Sequence, residues 1–242
     1  MILKARFADT AIIENGANLG FGAGNNPGIR YALEHNAEYV WLLNNDVIIE
    51  PGSLSAMLDK FAENDDVGIV GSAVCDMEQP DKLLALGGGM IKPGRSFAVH
   101  CTETAHLKQI SYVTGSSMLI KAEVLNKIGL FDENFFMYWE DADLCLRAKK
   151  AGCSLCVAPK SRILHENGAS SNDSALKSYQ IFRSGLYFHR KHCSRMQVVS
   201  YVLCFIADVI CRDILTLRWR HVWQLLGMIF TVKPVNNGTS KG

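Results

Sequence analysis

The sequence predicts an α/β domain with a mostly parallel sheet flanked by helices. Apolar runs of strand length alternate with amphipathic segments of helix length, and polar or glycine-rich turns separate them. The chain has 242 residues, of which 48% are hydrophobic and 20% charged, so it can bury a substantial core. We expect one α/β domain with an appendage rather than two full domains.

The amino-terminal part reads as strand, helix, strand, helix, strand, an order typical of parallel sheets. The predicted segments are a short strand at 11–14, a helix at 29–35 after Pro27, a strand at 39–43, a helix after residues 47–52, and a strand at 67–74. Residues 39–43 are apolar without a break, which is too short for a buried helix and right for a strand covered on both faces. Ser53 is the predicted N-cap of the second helix.

The carboxyl-terminal part is less regular. Residues 75–111 contain glycine and proline pairs that indicate a hairpin or loops. Two helices follow, at 122–128 ended by Gly129 and at 140–150 ended by Gly152. The lone Cys153-x-x-Cys156 pair is a candidate redox or zinc motif, but its surroundings favour a buried strand.

Composition argues against two classes of protein. The formal net charge of +1 lacks the basic excess of a nucleic-acid-binding protein, so we expect no nucleic-acid partner. The eight cysteines are scattered through a chain too large to need disulfides, and we recognise no secretory leader. We therefore expect reduced thiols and a cytoplasmic location.

Polarity inverts directly after the 39–43 strand. Asn44, Asn45 and Asp46 follow it, at the end of the strand where open α/β sheets place their ligands. These three residues are therefore the first candidate site.

A glycine-rich segment precedes this strand. Gly20, Gly22 and Gly24 permit close approaches that a side chain would prevent. Asn25 stands where a dinucleotide fingerprint needs glycine, and the segment lacks the Gly-Lys-Ser/Thr of a P-loop. It is either a ligand loop or a tight strand-to-helix connection without a ligand.

A second polar concentration lies at 132–143, at the start of the 140–150 helix. Acids in a first helical turn complement the helix dipole, which is the structural explanation for the group. Asp143 has Arg147 four residues on, and we expect that pair to meet on the surface. Asp141 has no basic helical neighbour, and an apolar setting beside Glu140 favours proton uptake, so Asp141 is a candidate general base.

Several segments together resemble family 2 glycosyltransferases, most closely their rhamnosyltransferase-like branch. They are NLGFGAGNN at 18–26, LLNND at 42–46, GSSMLI at 115–120, GLFDE at 129–133 and YWEDADL at 138–144. Their order and spacing agree across residues 11–192, which is more specific than any single motif.

The resemblance implies a GT-A fold and an inverting transfer of a sugar, with rhamnose one candidate, from a nucleotide-diphosphate donor to a hydroxyl of a cell-surface polysaccharide or lipid-linked precursor. Asp46 would bind Mg²⁺ or Mn²⁺, whose other ligands would be water and diphosphate oxygens. Asp141 would be the base and Glu140 would position the acceptor. The implied donor-binding residues are Asn18, Gly20, Gly22, Gly24, Asn25, Asn44 and Asn45.

His165 matches a histidine that follows the next strand in related enzymes and can approach the metal or diphosphate. A lone histidine after a strand is more often structural, so both interpretations stay open. The family's usual Arg-Asn pair is replaced by Arg183-Ser184.

The family normally begins with a strand-helix-strand unit that holds the donor base, and this chain starts after it. We expect a GT-A domain at 1–192 that is incomplete at its amino terminus. The alternative is a catalytically impaired or non-catalytic binding or scaffold protein that keeps the fold. A nucleotidyltransferase is a weaker alternative, because it would not explain the Glu-Asp helix start.

We expect a separate apolar helical segment and tail at 193–242. Residues 196–211 carry one charge but fall short of the ~20 residues that span a bilayer. Basic and aromatic residues follow at 212–223, a combination that can lie in a membrane interface. Residues 196–231 either contact the inner face of the plasma membrane peripherally or form helices that pack on the domain or a second subunit.

Overall fold

The computed structural model describes residues 6–95, 98–166, 174–215 and 227. Within these residues the chain forms six α-helices, nine strands and one 3-10 helix at Thr104–Gln109. The helices are α1 Phe21–Glu34, α2 Ser53–Glu63, α3 Ala122–Ile128, α4 Glu140–Lys150, α5 Ser174–His192 and α6 Arg195–Leu215. The strands are β1 Tyr39–Leu43, β2 Val47–Ile49, β3 Val67–Asp76, β4 Leu83–Ala85, β5 Gly88–Ile91, β6 Ala98–His100, β7 Tyr112–Val113, β8 Ser117–Lys121 and β9 Ser154–His165.

The central sheet has the order β1-β8-β3-β9-β2, with β4 paired to β3. It confirms the α/β class but is mixed rather than mostly parallel. Strands β1, β3 and β9 run in one direction, as the alternation of strands and helices predicts. Strand β8 runs the opposite way between β1 and β3, and the order of elements along a sequence gives no sign of such an insertion.

Strand β3 is the centre of the core. All ten of its residues are buried, because β8 and β9 flank it and helices cover both faces of the sheet. Val70 packs with Met57 and Phe61 of α2 on one face, whereas Ile69 belongs to the larger cluster on the other face. That larger cluster also receives the apolar residues of α4, α5 and α6.

Three local predictions in the amino-terminal part are wrong. Residues 11–14 form no strand, and α1 begins at Phe21, so that Pro27 lies inside it. Residues 47–49 form strand β2, and the predicted helix follows as α2. The N-cap of α2 is Gly52, because the hydroxyl of Ser53 instead bonds the backbone of Arg162 on β9.

The hairpin predicted within 75–111 is present. Strands β5 and β6 pair antiparallel, and β7 joins them in a second sheet of order β6-β5-β7. The predicted strand around Cys156 is also confirmed as part of β9.

Helix α6 packs against the main core along one face. Tyr201, Phe205 and Val209 are buried there with residues of α4 and α5. The boundary expected at 192 and 193 falls in the short connection between α5 and α6. No helix among the described residues is long and apolar enough to cross a membrane, and of the 196–231 segment residues 216–226 and 228–231 lie outside the described part.

Candidate active site

The turn that joins β1 to β2 carries the first candidate site. Leu43 ends β1 opposite Ser117 of β8, and the amide of Asn44 donates to the carbonyl of Ser116 at 3.2 Å. The side chain of Asn45 is exposed. The register of β1 and β8 therefore holds the turn at 44–46 against the loop at 114–116.

Asp46 and His165 meet across the neighbouring strand pair. Val47 pairs with His165 in the β2–β9 ladder, and Nε2 of His165 lies 3.5 Å from Oδ1 of Asp46. That oxygen is shielded from solvent and accepts no hydrogen bond. An unpartnered carboxylate oxygen beside an imidazole nitrogen is a donor pair that fits a divalent cation.

This pair would supply only part of a coordination shell. Among the described residues, no group of three or more His, Cys, Asp or Glu side chains is arranged to hold an ion. Mg²⁺ and similar ions accept such sparse sites when water and substrate phosphates provide the other ligands. The arrangement suits an ion that arrives with a nucleotide diphosphate.

Asp141 contacts the same loop through the backbone of Gly115. Its Oδ2 accepts the amide of Gly115 at 3.3 Å and its Oδ1 accepts the amide of Ala142 at 2.7 Å. Burial raises the pKa of Asp141, although these backbone hydrogen bonds counteract the rise. Its side chain is only partly covered, so a carboxylate made more basic by its raised pKa is accessible to an acceptor hydroxyl, as a general base requires.

Glu140 is the more deeply buried acid of the pair, with 6% of its surface exposed. Burial and the adjacent charge of Asp141 raise the pKa of Glu140. Its Oε2 has no hydrogen-bond partner. Glu140 therefore offers an unsatisfied carboxyl group next to the candidate base.

Asp143 is not the surface residue that the sequence predicts. The pair with Arg147 forms at 2.8 Å, but Asp143 is fully buried and also contacts Lys191 and His192 of α5, both at 2.7 Å. Burial alone would raise the pKa of Asp143, but hydrogen bonds from His192, Lys191 and Arg147 outweigh it and lower this pKa to about 2. Asp143 therefore joins α4 to α5 as a permanent anion.

The glycine-rich segment packs against the loop that leads into α4. The amide of Phe21 donates to the carbonyl of Phe136 at 2.9 Å, and a Cβ at Gly20 would collide with that carbonyl. A Cβ at Gly22 would lie 2.8 Å from the side chain of Phe131. Close packing against this loop therefore explains why glycine is needed at positions 20 and 22, without a ligand.

The other predicted donor-binding residues of this segment make local contacts. Asn18 accepts the amide of Gly20, Asn25 donates to the carbonyl of Phe21, and the carbonyl of Gly24 accepts from Asn15. The structure places this segment against the loop at 131–136, which leads into α4. It places the turn at 44–46 against the loop at 114–116.

Asn26 is a key residue that the sequence reasoning missed. It is 1% exposed, and its side chain bonds both the amide and the carbonyl of Phe131, each at 3.0 Å. The helical spacing of Gly22, Asn26 and Ile29 was the available signal, since it places the amide on the apolar face of α1. The side chain of Asn26 thus satisfies both backbone groups of Phe131, as a neighbouring β-strand would, and links α1 to the loop at 131–136.

The fold is that of solved GT-A glycosyltransferases. One is GalNAc-T7 with UDP, GalNAc and Mn²⁺, which matches with a TM-score of 0.56 at 12% identity over 78% of this chain and 39% of that chain. Another is the mannosyltransferase PcManGT of Pyrobaculum calidifontis in complex with GDP-Man and Mn²⁺, with a TM-score of 0.53 at 14% identity over 93% of this chain and 59% of that chain. At these identities the likeness concerns the fold.

Residues 4–183 match the family described as glycosyltransferase like family 2, and the chain belongs to it. Similar curated proteins include the low-salt glycan biosynthesis hexosyltransferase Agl10 of Haloferax volcanii, at 27% identity over 72% of this chain and 57% of Agl10. The N-acetylglucosaminyl-diphospho-decaprenol L-rhamnosyltransferase of Mycobacterium tuberculosis is 27% identical over 69% of this chain and 62% of that protein. The rhamnosyltransferase WbbL of Escherichia coli K12 is 27% identical over 77% of this chain and 74% of WbbL.

These comparisons confirm the resemblance to the rhamnosyltransferase-like branch. The chain spans 57% and 62% of the lengths of the first two relatives. The residues with assigned roles are therefore proposals about this chain and are argued below.

Proposed function

We propose that the protein transfers a sugar from a nucleotide-diphosphate donor to a hydroxyl group of a polysaccharide or lipid-linked precursor, with inversion at the sugar carbon. The observation that carries the proposal is the loop at 114–116, which contacts both polar sites. The amide of Asn44 donates to the carbonyl of Ser116, and Asp141 accepts the amide of Gly115. A carboxylate that suits a divalent cation and a carboxylate of raised pKa that suits a general base thus both lie beside one loop.

The donor occupies the side of Asp46 and His165. These two residues would hold Mg²⁺ or Mn²⁺, which would supply positive charge to offset the charge on the departing diphosphate. The exposed amide of Asn45 and the backbone of Asn44 face the donor. The segment with Asn18, Gly20, Gly22, Gly24 and Asn25 closes the donor side by its packing against the loop at 131–136.

The acceptor occupies the side of Asp141. Its carboxylate takes the proton from the acceptor hydroxyl while the hydroxyl oxygen forms a bond to the sugar carbon and the bond to the diphosphate breaks. Both oxygens of Asp141 already accept a backbone amide, and those bonds fix the direction of the lone pairs that remain. Glu140 orients the acceptor through its unpartnered Oε2.

The relatives support rhamnose as the transferred sugar. Among them are proteins named as a decaprenol-linked L-rhamnosyltransferase, a dTDP-rhamnosyl transferase of Shigella flexneri and a rhamnosyltransferase. The name of the first of these proteins also specifies a lipid-linked acceptor, N-acetylglucosaminyl-diphospho-decaprenol. We propose the same donor sugar and acceptor class for this chain.

The test is turnover of nucleotide sugars, dTDP-rhamnose first, by the purified full chain with Mn²⁺ or Mg²⁺. Asp46→Asn should abolish release of the nucleotide diphosphate, because within the described part of the chain Asp46 is the carboxylate that lies beside His165 at the proposed metal position. Asp59→Asn, a change to an exposed aspartate on α2, is the matched control and should keep full turnover.

Undiminished turnover in Asp46→Asn would contradict the metal assignment. Calorimetric titration of the wild type with nucleotide and metal tests the alternative that the protein is not an enzyme. Absence of any binding there would favour a non-catalytic scaffold that keeps the fold.

We also propose that α6 contacts the cytoplasmic face of the membrane. Its outward face is an apolar stripe, with Met196 79%, Val199 54%, Leu203 62% and Ile206 39% exposed. Basic residues flank the stripe: Arg195 is exposed at one side, and on the other Ser200 bonds the carbonyl of Gly94 at 3.0 Å, which brings the exposed Lys92 and Arg95 alongside. An apolar stripe between cations suits an anionic lipid surface.

Co-sedimentation with vesicles of phosphatidylglycerol and phosphatidylcholine tests this surface. Leu203→Glu should reduce binding at least tenfold, because it places a charge at the centre of the stripe. Leu54→Glu on α2, where the leucine is 44% exposed, is the matched control and should bind as the wild type does. Equal binding by all three proteins would remove the proposal.

A further inference from the structure

The residues immediately before the acidic helix adopt an unusual backbone conformation. Tyr138 has φ 67° and Trp139 has φ 71°, and among the described residues Asn36 alone of the other non-glycine residues has a positive φ. A left-handed conformation is disfavoured for residues with a Cβ, and for bulky ones in particular. Two such residues in succession persist only where the surroundings hold them.

Trp139 is held by an aromatic cluster from α5 and α6. It is 7% exposed, and its ring lies 5.0 Å from Phe188, 5.3 Å from His189 and 6.1 Å from Tyr201. Tyr201 is fully buried, stacks on His189 at 4.3 Å and donates its hydroxyl to carbonyls of α5. The indole therefore has a rigid wall behind it.

Helix α5 also holds the backbone just before the two residues. The hydroxyl of Ser184 donates to the carbonyl of Met137 at 2.8 Å, and Ser184 stands where the family's usual pair has asparagine. The next residue, Gly185, lets the indole approach, since a Cβ there would collide with the hydroxyl of Tyr201 and lie 2.9 Å from Nε1 of Trp139.

We propose that Ser184, Gly185 and Tyr201 are positioning residues that hold Tyr138 and Trp139 in the left-handed conformation and so set the place of Asp141 beside Gly115. The inference rests on the proposed role of Asp141 as the base. It goes beyond that role because it makes the α5–α6 pair part of the catalytic apparatus rather than an appendage.

The geometry gives a readout that does not depend on activity. The amide of Asp143 donates to the carbonyl of Trp139 at 2.9 Å, a bond that closes the first turn of α4. If Trp139 leaves its conformation, this bond opens and the amide exchanges with solvent. Hydrogen exchange at Asp143 therefore reports the state of the two strained residues directly.

The decisive variant is Gly185→Ala in the full chain. The added methyl group should displace Trp139 or Tyr201, lower kcat at least tenfold with KM for the donor changed less than twofold, and speed exchange at the Asp143 amide at least tenfold. Gly28→Ala is the matched control, because Gly28 is also helical and has nothing within 4 Å of an added Cβ. It should leave both measurements unchanged.

Substitutions at Ser184 give a milder test, in case Gly185→Ala fails to fold. Ser184→Ala removes one hydrogen bond and should shift both measurements in the same direction, whereas Ser184→Thr keeps the hydroxyl and should restore them. Wild-type exchange and turnover in Gly185→Ala and Ser184→Ala would overturn the inference. Turnover retained in Asp141→Asn would instead refute the base, and the exchange result would still decide whether α5 and α6 hold the strained pair.

Discussion

Asp141 and Asp143 lie two residues apart on α4, yet their surroundings shift their pKa values in opposite directions. Asp143 is fully buried, and hydrogen bonds from His192, Lys191 and Arg147 lower its pKa to about 2. Asp141 faces backbone amides and an acidic neighbour, and its pKa is raised, chiefly by burial. The same residue type on the same helix is a fixed anion at one position and a proton acceptor at the other.

The difference shows which property distinguishes a structural acid from a chemical one. An acid that is paired with cations has no free lone pair or proton to offer a substrate. An acid that is only partly covered and lacks a cation can exchange a proton near neutral pH. Each of the following predictions tests one side of this contrast.

Asp141→Asn should have the largest effect and should act on turnover. General bases contribute roughly 10²–10⁴-fold to rate, so we expect a loss in that range. The asparagine has one oxygen for the two backbone amides of Gly115 and Ala142, so one hydrogen bond is lost and stability should fall only modestly, by about 1 kcal/mol. Turnover and thermal unfolding of the same preparation check both halves, and a rate within tenfold of the wild type would contradict the contrast.

Asp143→Asn should behave in the reverse way and act on stability. It leaves Arg147, Lys191 and His192 without their shared carboxylate, and removing one partner from a buried ion pair costs about 3–5 kcal/mol. Urea denaturation at pH 7 measures the loss of unfolding free energy. A change below about 1 kcal/mol would mean that the cluster is no more than a surface-type ion pair.

The same cluster predicts a loss of stability in acid. Because the pKa of Asp143 is lowered in the folded protein, its contribution is complete above its ordinary carboxyl pKa and is lost as the pH falls toward about 2. The shift corresponds to about 2 kcal/mol. The stability difference between wild type and Asp143→Asn, measured by denaturation from pH 6 to pH 2, should therefore shrink as the pH falls, and a constant difference would contradict this.

The sequence predicted local features better than it predicted their surroundings. The turn at 44–46 was found because the apolar run of β1 ends abruptly, and that boundary is a local property. The pairing of Asp143 with Arg147 was also local, at four residues. The burial of Asp143 was missed because Lys191 and His192 come from α5, and no periodicity in α4 indicates which helix covers it.

The fold shows the same limit. Alternating strands and helices correctly placed β1, β3 and β9 in one direction, but β8, which follows the small second sheet along the chain, lies between β1 and β3 and runs the opposite way. The glycines were recognised as sites of close approach, whereas the approaching group, the loop at 131–136, lies more than a hundred residues away. Local patterns predict the type of each element and the chemistry that its side chains can perform. Long-range packing decides which other residues those side chains contact.

Glu140→Gln should have the smallest effect and opposite pH dependence to Asp143→Asn. Burial and the charge of Asp141 raise the pKa of Glu140, so the unfolded chain loses this proton at a lower pH than the folded protein does. Its contribution to stability is complete below its ordinary carboxyl pKa and is lost as the pH rises through the raised pKa of the folded state.

The glutamine variant cannot ionise, and it should match the wild type at pH 4 and exceed it at pH 8, by on the order of 1 kcal/mol. Chemical denaturation at the two pH values measures this, with Glu34→Gln, at an exposed site on α1, as the control that should show no such divergence. Parallel pH dependence in wild type and Glu140→Gln would mean that Glu140 ionises as freely as a surface acid. The contrast would then rest on Asp141 and Asp143 alone.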